Sequence, residues 1–446
     1  MDPMNTGPVD GVSETANRRL PWAIVGVALV AVAAFAIVTF GANDNDGSLS
    51  SIISNSADDE LEGASPTITS PTIPQSDGTE APAAAGAPTV TLPADASQVG
   101  HDNPQIEDLM REVERIRGLA FLSEVDTEFM SDEDFQARVT ADVDEDLDPA
   151  EIGELEAVWQ ALELIDPDLD LYSAVLQLYG EGIIGFYDTE ENRLVMRGLN
   201  LTPAVQSTLV HELTHALDDQ QFELFRPELI DGDDSEAQFG FLGLVEGSAS
   251  WVEEEWKLGL SSDDRAELGR EESEFGASMD LTGLPDVLLI DISLPYQFGP
   301  LLVSAIVSAG GTELLDAALL EPPVSGEQMM FPAAFLNFDP PITVPLPETD
   351  GGAEVLTSGV FGASGLLEAI LDADAGAAFA AAEAWGGDSF VAWADGEDHF
   401  CLRVDVIGDG VEGTDEILSG FELFASRHKD AVAARNGEFA RLTACG

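Results

Sequence analysis

Two histidines four residues apart, His211 and His215, enclose a glutamate beside the first of them in the stretch His211-Glu212-Leu213-Thr214-His215. On a helix, positions i and i+4 share a face one turn apart, so both imidazoles can reach one divalent cation. The Glu212 carboxylate is then placed to take a proton from water at that cation, which is the chemistry of metal-assisted hydrolysis. A tetrahedral site of this kind needs a third protein ligand and keeps its fourth position open. The stretch Ala237–Val252 carries one charged residue, Glu246, among apolar and small neighbours. A buried lone carboxylate requires a partner, and a chain with 17 Lys plus Arg against 85 Asp plus Glu has few cations to lend. Glu246 is therefore the expected third ligand of a Zn²⁺ ion. Asp218 and Asp219, just past His215, lie too close on the same helix to complete a tetrahedron and read as acceptors that orient a ligand histidine. Glu253, Glu254 and Glu255 read as a solvated helix face.

The elements that must position these groups are legible around them. Thr202 is a helix N-cap, Pro203 suits the first helical position, and Val205, Leu209, Leu213, Ala216 and Leu217 recur at helical spacing, so a helix of about Pro203–Phe222 carries the pentapeptide. The plainer alternative is a core helix whose histidines satisfy internal hydrogen bonds. Upstream, Ile106–Ile116 and Ile152–Leu164 have helical periodicity, and Glu124–Met130 reads as a short strand. Ile183–Tyr187 and Arg193–Arg197 read as a hairpin across Asp188–Asn192, an edge on which a peptide could align by β-augmentation or an ordinary hairpin of a small sheet. Downstream come a helix continuing over Trp251–Leu260 and an apolar helix Pro300–Ala309 ending at Gly310-Gly311. A Pro-rich loop Pro340–Pro347, an Ala-rich helix near Ala373–Trp385 and strands at Ser389–Trp393 and Phe400–Ile407 follow, with a closing helix over Phe421–Arg435. The fold class expected is α+β, mainly helical with a small sheet.

The two-histidine helix followed by a glutamate on a later helix resembles the gluzincin group of zinc metallopeptidases, with their thermolysin-like arrangement. The resemblance makes His211 and His215 the first two zinc ligands, Glu212 the general base and Glu246 the third ligand. It implies a zincin-like domain that hydrolyses peptide bonds in a peptide or protein substrate through zinc-activated water. That group carries an aspartate four residues after the ligand glutamate, where this chain has Ser250. The stretches HELTHALDDQ, GFYDTEENRLV, GEQMMFP and WGGDSFV are similar to those of a largely uncharacterised family of bacterial secreted or membrane-attached metallopeptidases, over most of Asp102–Cys445. A second electrophile to hold the developing negative charge would come from His399, His428, Tyr296, Tyr187 or Tyr179, none of which matches a motif for that role.

Composition sets the compartment. Leu20–Ala42 is uncharged and dominated by Ala, Val, Ile, Leu and Phe, long enough as a helix to cross a bilayer core of about 30 Å. Arg18 and Arg19 precede it and Asp44 and Asp46 follow, which keeps residues 1–19 cytoplasmic and exports the rest. A cleaved signal peptide is the alternative, disfavoured by the length of the apolar run and the lack of a small-x-small site. Residues 43–103 are rich in Ser, Thr, Pro, Ala, Gly and Asp and read as a disordered linker, leaving 104–446 as the extracytoplasmic domain of a single-pass membrane protein. Cys401 and Cys445 are the two cysteines, and an oxidising compartment favours a disulfide between them over two buried thiols. A net charge of −68 excludes a nucleic-acid or anionic-lipid partner, since either needs a basic face. No G-x-S-x-G elbow occurs, and the S-x-x-K of Ser426–Lys429 reads as helix surface. The competing reading is a catalytically inactive, zinc-containing surface binding or scaffold protein.

Overall fold

The computed structural model describes residues 29–31, 103–188, 191–198, 200–226, 229, 235–396 and 399–446. In chain order the elements are β1 (Leu29–Ala31), α1 (Pro104–Arg117), β2 (Asp126–Met130), α2 (Asp132–Asp146), α3 (Pro149–Ala161), α4 (Leu171–Gly182), β3 (Gly185–Asp188) and β4 (Arg193–Arg197). Then come α5 (Pro203–Phe222), α6 (Ser235–Leu258), α7 (Ser262–Ser278), α8 (Asp286–Leu320) and two five-residue helices, α9 (Gly326–Met330) and α10 (Pro332–Leu336). The chain finishes with β5 (Val355–Gly359), α11 (Gly362–Leu371), α12 (Ala375–Glu383), β6 (Trp385–Ala394), β7 (Phe400–Gly408), α13 (Gly410–Arg427), β8 (Ala431–Asn436) and β9 (Phe439–Cys445). The α+β class expected from the sequence is what the chain adopts: mostly helix, with one sheet ordered β1-β3-β4-β2 and another ordered β5-β6-β7-β9-β8.

Local chemistry explains the main boundaries. Thr202 caps α5 through Val205 N–H, Pro203 opens it, and Glu271 of α7 accepts from Ala204 N–H at 2.9 Å. The helix ends at Glu223, in the left-handed region at φ 55°. Its middle turns are buried on all sides, because α6, α1, α7 and the first sheet all pack on it. The hairpin of β3 and β4 forms as read, but it lies inside its sheet. β4 runs between β3 and a parallel β2, and β1 pairs antiparallel along the other side of β3. Neither strand of the hairpin therefore presents an open edge for a peptide.

Three departures have clear causes. The apolar helix expected to stop at Gly310-Gly311 is part of α8, which begins at Asp286 and resumes after one non-helical residue, Gly311 (φ 73°, ψ −173°), through to Leu320. Among the described residues it is the one helix long and apolar enough to cross a membrane, yet Leu294, Phe298, Leu302, Val303 and Ile306 along it are core residues packed against α6. The closing helix expected over Phe421–Arg435 ends at Arg427, and Ala431–Asn436 turns back as a strand. Its Ala and Arg content favours helix, but Asn436 and Phe439 are paired around a two-residue turn with Gly437 at φ 64°, a hairpin geometry that overrides propensity. Of the expected membrane span Leu20–Ala42, only Leu29–Ala31 is described, as the strand β1, since an apolar β-branched stretch satisfies strand and helix alike. The remainder of that span and the linker up to residue 102 lie outside the described residues.

Asp291 of α8 and Glu368 of α11 join those helices as a hydrogen-bonded carboxyl pair, at 4% and 6% exposure. Burial lifts the Asp291 carboxyl to about 7, and burial together with the Asp291 charge pushes Glu368 well above the carboxylate range. A carboxyl raised in the folded state keeps its proton where the unfolded chain has lost it. The stability it lends is therefore full below about pH 4 and disappears as pH rises through the folded value. Thermal unfolding followed from about pH 4 to 8 is expected to show a falling midpoint, and Asp291→Asn to flatten that fall. An unchanged slope in the variant would show that the pair does not titrate with folding.

Candidate metal centre

His211, Glu212 and His215 occupy the buried stretch of α5 that faces α6, and Glu246 projects from α6 against them. Glu246 Oε2 lies 3.1 Å from His211 Nε2 and 3.6 Å from His215 Nε2. The two rings are 4.7 Å apart between centroids and inclined at 77°, so their nitrogens converge rather than stack. One ligand atom from each of His211, His215 and Glu246 lies within 4.8 Å of the other two, a grouping that can hold a metal ion. Two atoms inside it, His215 Nε2 and Glu246 Oε1, are buried and have no hydrogen-bond partner. Leaving such groups unmatched costs on the order of 1–3 kcal/mol each, a penalty that a coordinated cation removes. The donor set of two imidazoles and a carboxylate fits a borderline divalent ion.

Close helix packing puts Glu246 there. Gly243 and Gly247 bracket it one turn apart, and α8 crosses at Gly299. A Cβ on Gly247 would sit 2.3 Å from Gly299 O, and one on Gly299 would sit 2.1 Å from Gly243 O. Backbones meet at this crossing because no side chain intervenes, and the crossing fixes the helix from which the neighbouring Glu246 projects on an adjoining face.

Glu253, expected on a solvated face, is buried, and it performs the task assigned from sequence to Asp218 and Asp219. Its Oε2 lies 3.3 Å from His211 Nδ1, while its Oε1 accepts from Ser207 Oγ at 2.7 Å and pairs with Lys257 Nζ at 3.0 Å. With Nδ1–H turned toward Glu253, Nε2 is the nitrogen presented to the centre. The sequence carried a signal for it: Glu253 is seven residues, two turns, from Glu246, and Lys257 is one turn further. Asp218 instead accepts from Arg117 Nε at 2.9 Å and Ser248 Oγ at 2.6 Å, tying α5 to α1 and α6. Asp219 accepts from Tyr187 Oη at 2.9 Å and Leu224 N–H at 2.8 Å. Ser250 contributes nothing comparable.

The electrostatics follow the same contacts. Burial works against a charged His211, but the Glu246 and Glu253 hydrogen bonds overturn it and raise the ring to about 10, and Glu212 adds to the rise. For His215 burial prevails and the ring is lowered. Burial would raise Glu253, yet Lys257 and His211 bring it down to about 2. Of the five candidate electrophiles, Tyr179 on α4 stands in the field of the centre: burial, then Asp291, then Glu246 raise its phenol. Tyr187 is engaged by Asp219, His428 stacks on Phe424 at 4.0 Å, His399 lies at the far end of the second sheet, and Tyr296 packs half-buried on α8.

Fold and site together define an α+β protein with a buried two-histidine, one-glutamate cluster able to bind a metal ion. Compared with protein-family models, with curated proteins and with solved structures, the chain finds no match.

Two substitutions test this geometry. Glu253→Gln is expected to weaken metal binding about tenfold to a hundredfold while leaving the circular dichroism spectrum unchanged, as read by competition with a chelator. Gly247→Ala is expected to cost about 1–3 kcal/mol in thermal stability and to loosen the metal with it. Binding of native strength in both variants would separate metal affinity from the α6 positions described.

Proposed function

We propose that the chain is a zinc-dependent, gluzincin-like peptidase, with His211, His215 and Glu246 as ligands and Glu212 as general base. The observation that carries this reading is Glu212 itself. A site that only holds a metal has no use for an acid beside its first ligand, and this one is kept at 0% exposure in the field of His211. Zinc bound there would supply Lewis acidity, easing deprotonation of water and polarising a peptide carbonyl. Glu212 takes the proton released in the attack and returns it to the leaving amine. Glu253 holds the His211 ring in orientation, and Tyr179, whose phenol feels the Glu246 charge, is the candidate we favour for meeting the developing oxyanion.

The same proposal includes attachment to a membrane through the apolar run Leu20–Ala42, in a state where Leu29–Ala31 leaves its pairing with β3, with residues 43–103 as a tether and the catalytic domain outside the cytoplasm. It rests on the uncharged apolar run, the Arg18-Arg19 flank and the linker composition. A second reading has one observation in its favour. His211, Glu212, His215 and Glu246 lie at 0%, 0%, 1% and 0% exposure, a closed surrounding that suits a metal held for structure in a binding or scaffold protein.

The two readings part on one comparison. Full-length protein should bind one zinc and cleave a broad peptide library, and Glu212→Gln should keep the zinc while losing about 10²–10⁴-fold of the cleavage rate. Glu246→Ala should lose the zinc. Wild type that binds zinc and cleaves nothing would establish the scaffold reading.

A further inference from the structure

A second group of ligand-type side chains lies at the turn end of β6 and β7, away from the metal centre. Asp395 follows β6 and His399 precedes β7, and Asp395 N–H donates to His399 O at 2.8 Å. An oxygen of Asp395, a ring nitrogen of His399 and Cys401 Sγ lie within 4.8 Å of one another. Cys401 and Cys445 are partners in the β7–β9 register and form the disulfide expected from sequence. His399 Nδ1 is buried without a hydrogen-bond partner. While the disulfide stands, its sulfurs carry no thiolate charge and the group offers a metal only a carboxylate and an imidazole.

We propose that the Cys401–Cys445 disulfide gates a second metal site, formed by Asp395, His399 and Cys401 and specific for a thiophilic divalent cation of the zinc class. A dithiol reductant that reaches the exported domain supplies the two electrons, against the oxidising surroundings that otherwise keep the bond closed. The S–S bond breaks, two protein thiols form, and the reductant leaves as its own disulfide. On metal binding the Cys401 thiol releases its proton to solvent, giving a set of one thiolate, one imidazole and one carboxylate, with the fourth position left to water. The backbone keeps the sulfurs together after the bond is broken. Leu402–Val406 remain paired with Ala440–Ala444, and Phe400 and Gly446 exchange N–H···O bonds at 3.1 and 3.0 Å beyond them. Cys401 is the buried residue of the pair and Cys445 the partly buried one. The two sites then sort cations by ligand softness, with nitrogen and oxygen at His211 and sulfur here.

The test is a Co²⁺ titration of the full chain, oxidised and after dithiol reduction with the reductant removed under anaerobic conditions. Sulfur-to-cobalt charge-transfer absorption reports thiolate ligation and is silent for the His211 centre. We expect none in the oxidised chain and saturation at one equivalent in the reduced chain. Asp395→Asn and His399→Ala should each weaken that binding tenfold or more, and Cys401→Ser should abolish it. The proposal is overturned if the reduced chain shows no such absorption, if its sheet is lost by circular dichroism, or if the Asp395→Asn/His399→Ala double variant binds Co²⁺ as the wild type does.

Discussion

The constraint on which the rest of this structure depends is the burial of ionisable groups between α5 and α6. His211, Glu212, His215, Glu246 and Glu253 are all withdrawn from water along one seam, where an uncompensated charge costs several kcal/mol. Every neighbouring feature answers that cost. Lys257 pairs with Glu253, Ser207 donates to it, and its second oxygen faces His211. Arg117, itself at 0% exposure, is held by Asp218 and Asp316, so one buried cation offsets two carboxylates across α1, α5 and α8. The glycines of α6 admit α8 close enough to fix the helix that carries Glu246.

A chain this acidic has few side-chain cations to distribute. It pairs Lys257 with Glu253 and Arg117 with Asp218 beside the cluster and leaves the centre to two histidines and a carboxylate able to bind a metal ion. Buried atoms without a hydrogen-bond partner occur at His215 and Glu246, where a coordinated ion would meet them, while Asp218 and Glu253 beside them are hydrogen-bonded to Arg117 and Ser207. This arrangement frames the tension between the two functional readings. The carboxylate next to the first ligand favours hydrolysis, whereas the enclosure of all four groups favours a structural metal.

Much of the centre was legible in the sequence because it rests on local periodicity. The boundaries of α5 follow from Thr202, Pro203 and the apolar repeat, and the third ligand followed from a single charge in an apolar stretch. Glu253 was misread because three consecutive glutamates resemble a solvated face. Only the packing of α6 against α5 shows that the first of them points inward. The sharing of work between Asp218 and Glu253 depends on where Arg117 arrives from 101 residues away, which no spacing rule contains. In the second half, α11, β5 and the β8–β9 hairpin were missed or misread. Stretches this short have weak periodicity, and their state is set by the elements packed beside them. The Cys401–Cys445 pairing was the exception, since two cysteines allow only one intramolecular bond.

The most direct measurement of the central claim is X-ray absorption at the zinc edge, with metal content, on the oxidised full-length protein. The structure predicts one ion per chain with nitrogen and oxygen ligands only, two of them imidazoles, and loss of the ion when His211 and His215 are both replaced. A chain without metal, or one whose ion survives that replacement, would contradict it.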